Sequence, residues 1–187
     1  MILGILSDSH GQHERTARAI RLLQQCGAEA FVHCGDIGGE QVLDQLAGLR
    51  VRFVWGNTDV VDASIVRYAR SLGLTPPEGT PLRIESASRI IEVFHGHEPE
   101  FARLTRRLTR DASSATPASS PRYVLYGHTH YAADARFGAV RVINPGALHR
   151  ARAYTVATLE LTGDTLRFWQ VDDAAPDTAR PQPYQPR

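Results

Sequence analysis

The sequence has no lysine; all 21 of its basic residues are arginine. Such a bias reflects coding composition and carries no functional reading. Cysteine is scarce too, with only Cys26 and Cys34. Two cysteines make no disulfide framework, which excludes the bridge-stapled secreted class and points to a reducing cytoplasm. Charge of one sign is missing: 20 acidic residues against 21 basic ones leave a net +1. No bulk field therefore draws the chain to nucleic acid or an anionic membrane. No apolar stretch approaches the roughly 20 residues of a membrane span. Residues 1–6 are apolar, but the run is too short for a signal peptide and has no basic flank. Internal repeats are absent. The remainder is ordinary for a globular domain, with 42% hydrophobic and 22% charged residues in a chain of 187, long enough for one sizeable core.

The hydrophobic periodicity predicts a βαβαβ opening. Residues 2–6, 30–34 and 51–55 read as short buried strands. Between and after them, residues 12–25, 40–49 and 63–72 show helical spacing, with Thr16, Ile20 and Leu23 on one face and Val42, Leu46 and Leu49 on another. Alternating strands and helices with short connections imply a parallel sheet flanked by helices. The pattern then changes. Residues 82–85 and 89–94 read as a strand pair, Pro99 opens a helix bearing Phe101, Leu104 and Leu108 on one face, and residues 123–126 form a further strand. Gly138 and Gly163-Asp164 centre two closing hairpins. Residues 111–121, rich in Ser, Ala and Pro, read as a mobile surface loop. The reading gives one α/β domain over residues 1–173 that begins parallel and ends antiparallel, with a disordered tail over 174–187.

The informative feature is where the polar residues fall. The first strand runs into Asp8-Ser9-His10, the second into Gly35-Asp36, and the third into Gly56-Asn57-Thr58-Asp59. Later strands run into His95-Gly96-His97 and Gly127-His128-Thr129-His130. Ligands of open α/β sheets bind just past the carboxyl ends of strands. Taken singly, each residue has a bland explanation: Asp8 as a helix N-cap, His95 as a core histidine, Asn57-Thr58-Asp59 as a turn. Jointly, the bland readings need five unrelated loops to choose only Asp, Asn and His. His128 and His130, at i and i+2, are expected to share a side of extended chain. Carboxylate, amide and imidazole donors suit Mn²⁺, Fe²⁺, Co²⁺, Ni²⁺ or Zn²⁺. Without cysteine among them, they do not describe a structural zinc site. Seven ligands are too many for one tetrahedral ion and suit two ions sharing a carboxylate.

These five blocks, in this order and spacing, resemble the signature of calcineurin-like metallophosphoesterases. The short chain, the Asn144-Pro145-Gly146 turn and the two closing hairpins resemble the YfcE-like branch. That branch includes bacterial and archaeal phosphodiesterases and the retromer scaffold subunit. The resemblance implies a two-sheet β sandwich flanked by helices. It implies that Asp8, His10 and His130 hold one metal, that Asn57, His95 and His128 hold another, and that Asp36 bridges them. It also implies a hydroxide between the ions as nucleophile. Two ions roughly 3.5–4 Å apart lower the pKa of water and clamp the phosphoryl oxygens, and Asn57 can ligate through oxygen while its NH₂ meets a phosphate.

One position departs from the wider family, where His commonly follows the motif Asn as general acid. Here it is Thr58, whose hydroxyl is a poor acid near neutrality. His97 becomes the candidate in its place, either as acid or as a group that orients His95. With Asn57 and Asp59, the latter orienting a neighbour, it completes the candidate catalytic set. His149, Arg150 and Arg152 follow the Asn144-Pro145-Gly146 turn and either belong to a solvated loop, the simpler reading, or touch a substrate phosphate. Arg103, Arg106, Arg107 and Arg110 are expected to form a solvated helix face, and Cys34 a small core residue. The expected activity is a phosphodiesterase acting on small phosphate esters with two divalent ions, manganese first among them. A phosphomonoesterase and an inactive scaffold of the same fold are the rival readings. Self-association is left open.

Overall fold

The computed structural model describes residues 1–86, 89–110, 122–176 and 178–186. The expected loop at 111–121 lies outside the described residues. Two sheets pack face to face. The first has strand order β11-β10-β9-β1-β2-β3, built from β1 (Ile2–Leu6), β2 (Ala30–His33), β3 (Val51–Phe53), β9 (Thr155–Glu160), β10 (Thr165–Gln170) and β11 (Gln182–Tyr184). The second has order β4-β5-β6-β8-β7, from β4 (Leu82–Ser86), β5 (Arg89–Val93), β6 (Tyr123–Leu125), β7 (Ala132–Phe137) and β8 (Val140–Pro145). β1, β2 and β3 pair in parallel, as the sequence predicts. The strand pair β4–β5 and the closing hairpins β7–β8 and β9–β10 are antiparallel, as expected; in addition β5–β6 and β6–β8 pair in parallel, because β8 returns from its hairpin with β7 to lie beside β6.

Alternation of side chains sorts the core into layers. Leu3 and Ile5 of β1, Val32 of β2, and Tyr123 and Leu125 of β6 meet between the sheets, with Cys34 among them. Leu6 and Phe31 point the other way, onto α1 (His13–Gln25) and α2 (Glu40–Leu46). Thr16, Ile20 and Leu23 are the buried face of α1, as the spacing predicts. α3 (Ala63–Ser71) is capped by Asp62, whose carboxylate accepts from the backbone N–H groups of Ser64 and Ile65. α4 (Pro99–Arg110) covers the outer face of the second sheet, with Phe101, Leu104 and Leu108 against Phe94 and Val124. Among the described residues, no helix is long and apolar enough to cross a membrane.

The tail departs from the expected disorder. Gln182–Tyr184 adds β11 to the edge of β10, with Tyr184 opposite Phe168 and packed against the inter-sheet core. One aromatic side chain and an otherwise unpaired sheet edge outweigh a polar, proline-rich composition, and Pro183 is tolerated because an edge strand needs no donor on its outer side.

At the end of the sandwich where β6 and β8 begin, Asp164 locks the sheets together. It sits in the β9–β10 turn and accepts from Arg122 (2.5 Å), Arg136 (3.0 Å), Arg141 (2.8 Å) and Tyr123 Oη (3.2 Å). Burial pushes the Asp164 pKa up, but hydrogen bonds from Arg136 and Arg141 and the charges of Arg122 and Arg136 hold it at about 2. A depressed carboxylate stabilises the fold fully above its unfolded pKa of about 3.9 and loses that contribution as pH falls through the folded value. Asp164→Asn should therefore cost about 1–3 kcal/mol at neutral pH. The deficit relative to wild type should shrink between pH about 4 and 2, as read by thermal melts across that range.

Candidate metal centre

The loops that follow β1, β2, β3, β5 and β6 converge at the opposite end. Asp8 N–H donates to the Gly35 carbonyl (3.0 Å), His10 N–H to Asp36 (2.9 Å) and Gly127 N–H to His95 (2.8 Å), so each loop is held by its neighbour. Asp8 is fully buried and Asp36 nearly so, 2% exposed. One Asp36 oxygen, Oδ2, lies 3.3 Å from His10 Nε2 and 3.4 Å from His95 Nε2. Asp8 Oδ1 lies 3.3 Å from His130 Nε2. The donor atoms of Asp8, His10, Asp36 and His130 all fall within 4.8 Å of one another. On the other side of Asp36, Asn57 Oδ1 is 3.0 Å from His95 Nε2, and the His128 ring stands 5.1 Å from that of His95. The expected ligands are thus brought together as two groups that meet at Asp36.

The groups suit divalent ions on their own chemistry. Burying two carboxylates is costly unless positive charge answers them. His95 Nδ1–H donates to the Cys34 carbonyl (2.8 Å), which leaves Nε2 free to face Asp36 and Asn57. Burial pushes the pKa of His95 down, but Asp36, the Cys34 carbonyl and Asp8 together hold it above the usual value. Burial depresses His10 and His128, keeping them neutral donors. Burial raises Asp8 against the opposing effects of Ser7, His95 and His130. Burial also acts to raise Asp36, yet hydrogen bonds and charge from His95 and Thr58 hold it well below the carboxylate range.

The backbone is strained here. Asp8, His10, Asp36, His128 and His130 all have φ between 43° and 67°, in the left-handed region that non-glycine residues avoid. Among the described residues only Arg150 and Asp164 share this trait outside glycine. Close approach explains the glycines. A Cβ on Gly56 would collide with the Asp36 carboxylate, and one on Gly127 with Ser7 and Asp8.

The positive φ values also correct the extended-chain reading of His128-Thr129-His130. The two rings do not share a side; His130 joins Asp8 and His10, while His128 turns toward His95. Asp8 is no helix cap either, since Gln12 holds that position. Asp59 does not face the cluster. It accepts from the backbone N–H of Ile37 (3.1 Å), Gly38 (2.8 Å) and Gly56 (2.7 Å), pinning two ligand loops. Thr58 N–H donates to Asp36 Oδ1 (2.9 Å). His97 stands at the rim, its ring 5.4 Å from that of His95 and 6.2 Å from that of His128. His149 lies across from it, 5.3 Å from the His10 ring, so it belongs to the site rather than to a solvated loop. Arg15 anchors that loop through the Leu148 carbonyl (2.6 Å).

Three supporting residues escape the sequence reading. Glu98 accepts from the backbone N–H of His95 and of Gly96, both at 2.7 Å; an acidic residue just before Pro99 and α4 was the available signal. Buried His33 donates through Nε2 to Ser9 Oγ (2.8 Å) and accepts from Gly35 N–H (3.2 Å); burial pushes its pKa down to about 3, so it is neutral. Asn144, noted only as part of a turn, donates to the Gly127 carbonyl (2.7 Å) and to Thr129 Oγ1 (3.1 Å), and so carries the His128–His130 loop.

The chain is similar to known proteins over most of its length. The profile of the calcineurin-like phosphoesterase superfamily domain matches residues 1–164. A phosphodiesterase of Methanocaldococcus jannaschii is 24% identical over 148 residues, covering 78% of this chain and 83% of its own. Among solved structures, a novel archaeal phosphodiesterase superposes with TM-score 0.76 at 21% identity, covering 91% of this chain and 99% of that one. The YfcE phosphoesterase of E. coli gives 0.65 at 23%, covering 94% and 96%. Vps29 of Entamoeba histolytica, solved with Zn²⁺, shares the fold at 0.60 and 18%, covering 94% and 95%. With the matched profile spanning residues 1–164, most of its length, the chain belongs to the calcineurin-like phosphoesterase superfamily.

Proposed function

We propose that the chain is a phosphodiesterase that hydrolyses small phosphate esters with two divalent ions. The observation that carries the reading is Asp36 Oδ2, placed between His10 Nε2 and His95 Nε2 at nearly equal distance. Asp8, His10 and His130 would hold one ion, Asn57, His95 and His128 the other, and Asp36 both. Such ions supply an acidified water and Lewis-acid polarisation of the phosphoryl oxygens. The protein's own share is positioning. Asn57 presents its amide oxygen to His95 and keeps NH₂ donors for a phosphate oxygen. Asp59 and Thr58 fix the loops that carry Asp36 and Asn57. The donor set is that of borderline metals, with Mn²⁺ the first to test. Two free cysteines suit a reducing compartment such as the cytoplasm.

A monoesterase would use the same centre, so preference between ester classes is the first measurement. With Mn²⁺, bis-(p-nitrophenyl) phosphate should turn over faster than mono-(p-nitrophenyl) phosphate; the reverse ranking makes the enzyme a monoesterase, and inactivity on both favours a scaffold. Elemental analysis of reconstituted protein should approach two ions per chain, and a ceiling of one would defeat the dinuclear reading. Asp36→Ala should abolish turnover and weaken both sites, whereas His130→Ala should mainly weaken one.

His97, whose ring stands 5.4 Å from that of His95 and 6.2 Å from that of His128, is the candidate to protonate a leaving oxygen. An acid matters most for poor leaving groups. His97→Ala should slow alkyl ester hydrolysis roughly 10²–10⁴-fold while sparing p-nitrophenyl esters. Equal slowing of both, with weaker metal retention, would make it a positioning residue instead.

A further inference from the structure

A diester needs somewhere to put its second ester group. Beside the metal centre lies a cavity of about 400 Å³ lined by His130, Tyr131, Arg152, Thr155, Tyr184 and Gln185. His130 is shared: its Nε2 faces Asp8 and its flank walls the cavity. Tyr131 is 74% exposed, and the only other large apolar side chains so exposed among the described residues, Val60 and Val61, follow the Asn57 loop. The Tyr131 ring thus stands open to solvent at the mouth of the cleft. The polar groups are also unspent. Arg15, Arg122, Arg136 and Arg141 are tied to aspartates, whereas neither Arg152 nor the Gln185 amide has a hydrogen-bonded or ionic partner among the described residues. The cavity floor, by contrast, is fixed: Thr155 Oγ1 donates to the Pro145 carbonyl (2.8 Å), and Tyr184 packs on the core.

We propose that this cavity is the subsite for the second ester group of the substrate, and that it takes a nucleoside. The Tyr131 ring offers a stacking face to the base, Gln185 can donate to and accept from the base edge, and Arg152 brings positive charge to an anionic diester. The assignment rests on the phosphodiesterase reading but is tested separately from it. Thymidine 5′-(p-nitrophenyl) phosphate and methyl p-nitrophenyl phosphate share a leaving group and differ only in the group assigned to the cavity. With Mn²⁺-loaded enzyme, Tyr131→Ala should lower kcat/KM for the thymidine diester roughly 5- to 100-fold and change the methyl diester less than about 2-fold. Tyr131→Phe should match wild type on both. Binding of thymidine 5′-monophosphate, followed by calorimetry, should weaken in Tyr131→Ala and not in Tyr131→Phe. Equal effects on both diesters, or binding indifferent to Tyr131, would overturn the subsite. If wild-type enzyme hydrolysed neither diester, the phosphodiesterase reading would fail, and the binding measurement alone would decide what the cavity holds.

Discussion

Everything at the active end of this protein follows from keeping two carboxylates, Asp8 and Asp36, out of water. An ionised carboxylate loses several kcal/mol of hydration on burial unless positive charge and hydrogen bonds replace it. The chain answers with four imidazoles and two backbone N–H groups. His10 and His95 flank Asp36, His130 meets Asp8, and His128 turns toward His95. Thr58 N–H reaches Asp36, and His128 N–H reaches both oxygens of Asp8 at 3.1 Å. The imidazoles gather on these carboxylates, and the same convergence brings the donor atoms of Asp8, His10, Asp36 and His130 within 4.8 Å of one another.

That arrangement is bought with backbone strain. Five site residues sit at positive φ, a conformation that costs of order 1 kcal/mol or more at each non-glycine position. It persists because what lies beneath does not yield. Leu3, Ile5, Val32 and Leu125 fill the space between the sheets, and α1 and α4 close the outer faces. At the far end the arginines gathered on Asp164 tie the β9–β10 turn to the second sheet. Nearer the site, Asp59, Glu98, His33 and Asn144 spend their hydrogen bonds on loop backbone rather than on any ligand. Rigid strands deliver the loops to one edge, and these buttresses set their last few ångströms.

The candidate ligands stood out in the sequence because each stands just past a strand, where type and position can both be read along the chain. Their partition was not. Whether His128 and His130 share a side depends on φ at each, and both are left-handed, which an i, i+2 count does not register. The buttresses were harder still. His33 lies inside a buried strand and looks like core, and Asn144 partners Gly127 and Thr129 from 17 and 15 residues away. The tail failed for a related reason: composition averages over residues 174–187, while β11 depends on one tyrosine meeting one strand edge.

At the position after Asn57, the side chain and the backbone of one residue do different work. Where relatives of the wider superfamily carry an imidazole, Thr58 offers a hydroxyl 3.4 Å from His10 Nδ1, a contact suited to orienting His10 and ill suited to proton delivery. The Thr58 N–H, which any residue other than proline would also offer, holds Asp36 Oδ1. Histidines remain on both sides of the centre, His97 beside His95 and His149 beside His10. On the phosphodiesterase reading proposed above, a proton for the leaving oxygen would come from the rim rather than from a residue next to Asn57. A rim donor meets the leaving oxygen only when the substrate is held in one orientation. That places a premium on whatever grips the remainder of the ester, and makes the cleft beside His130 part of the catalytic problem as well as of the binding one.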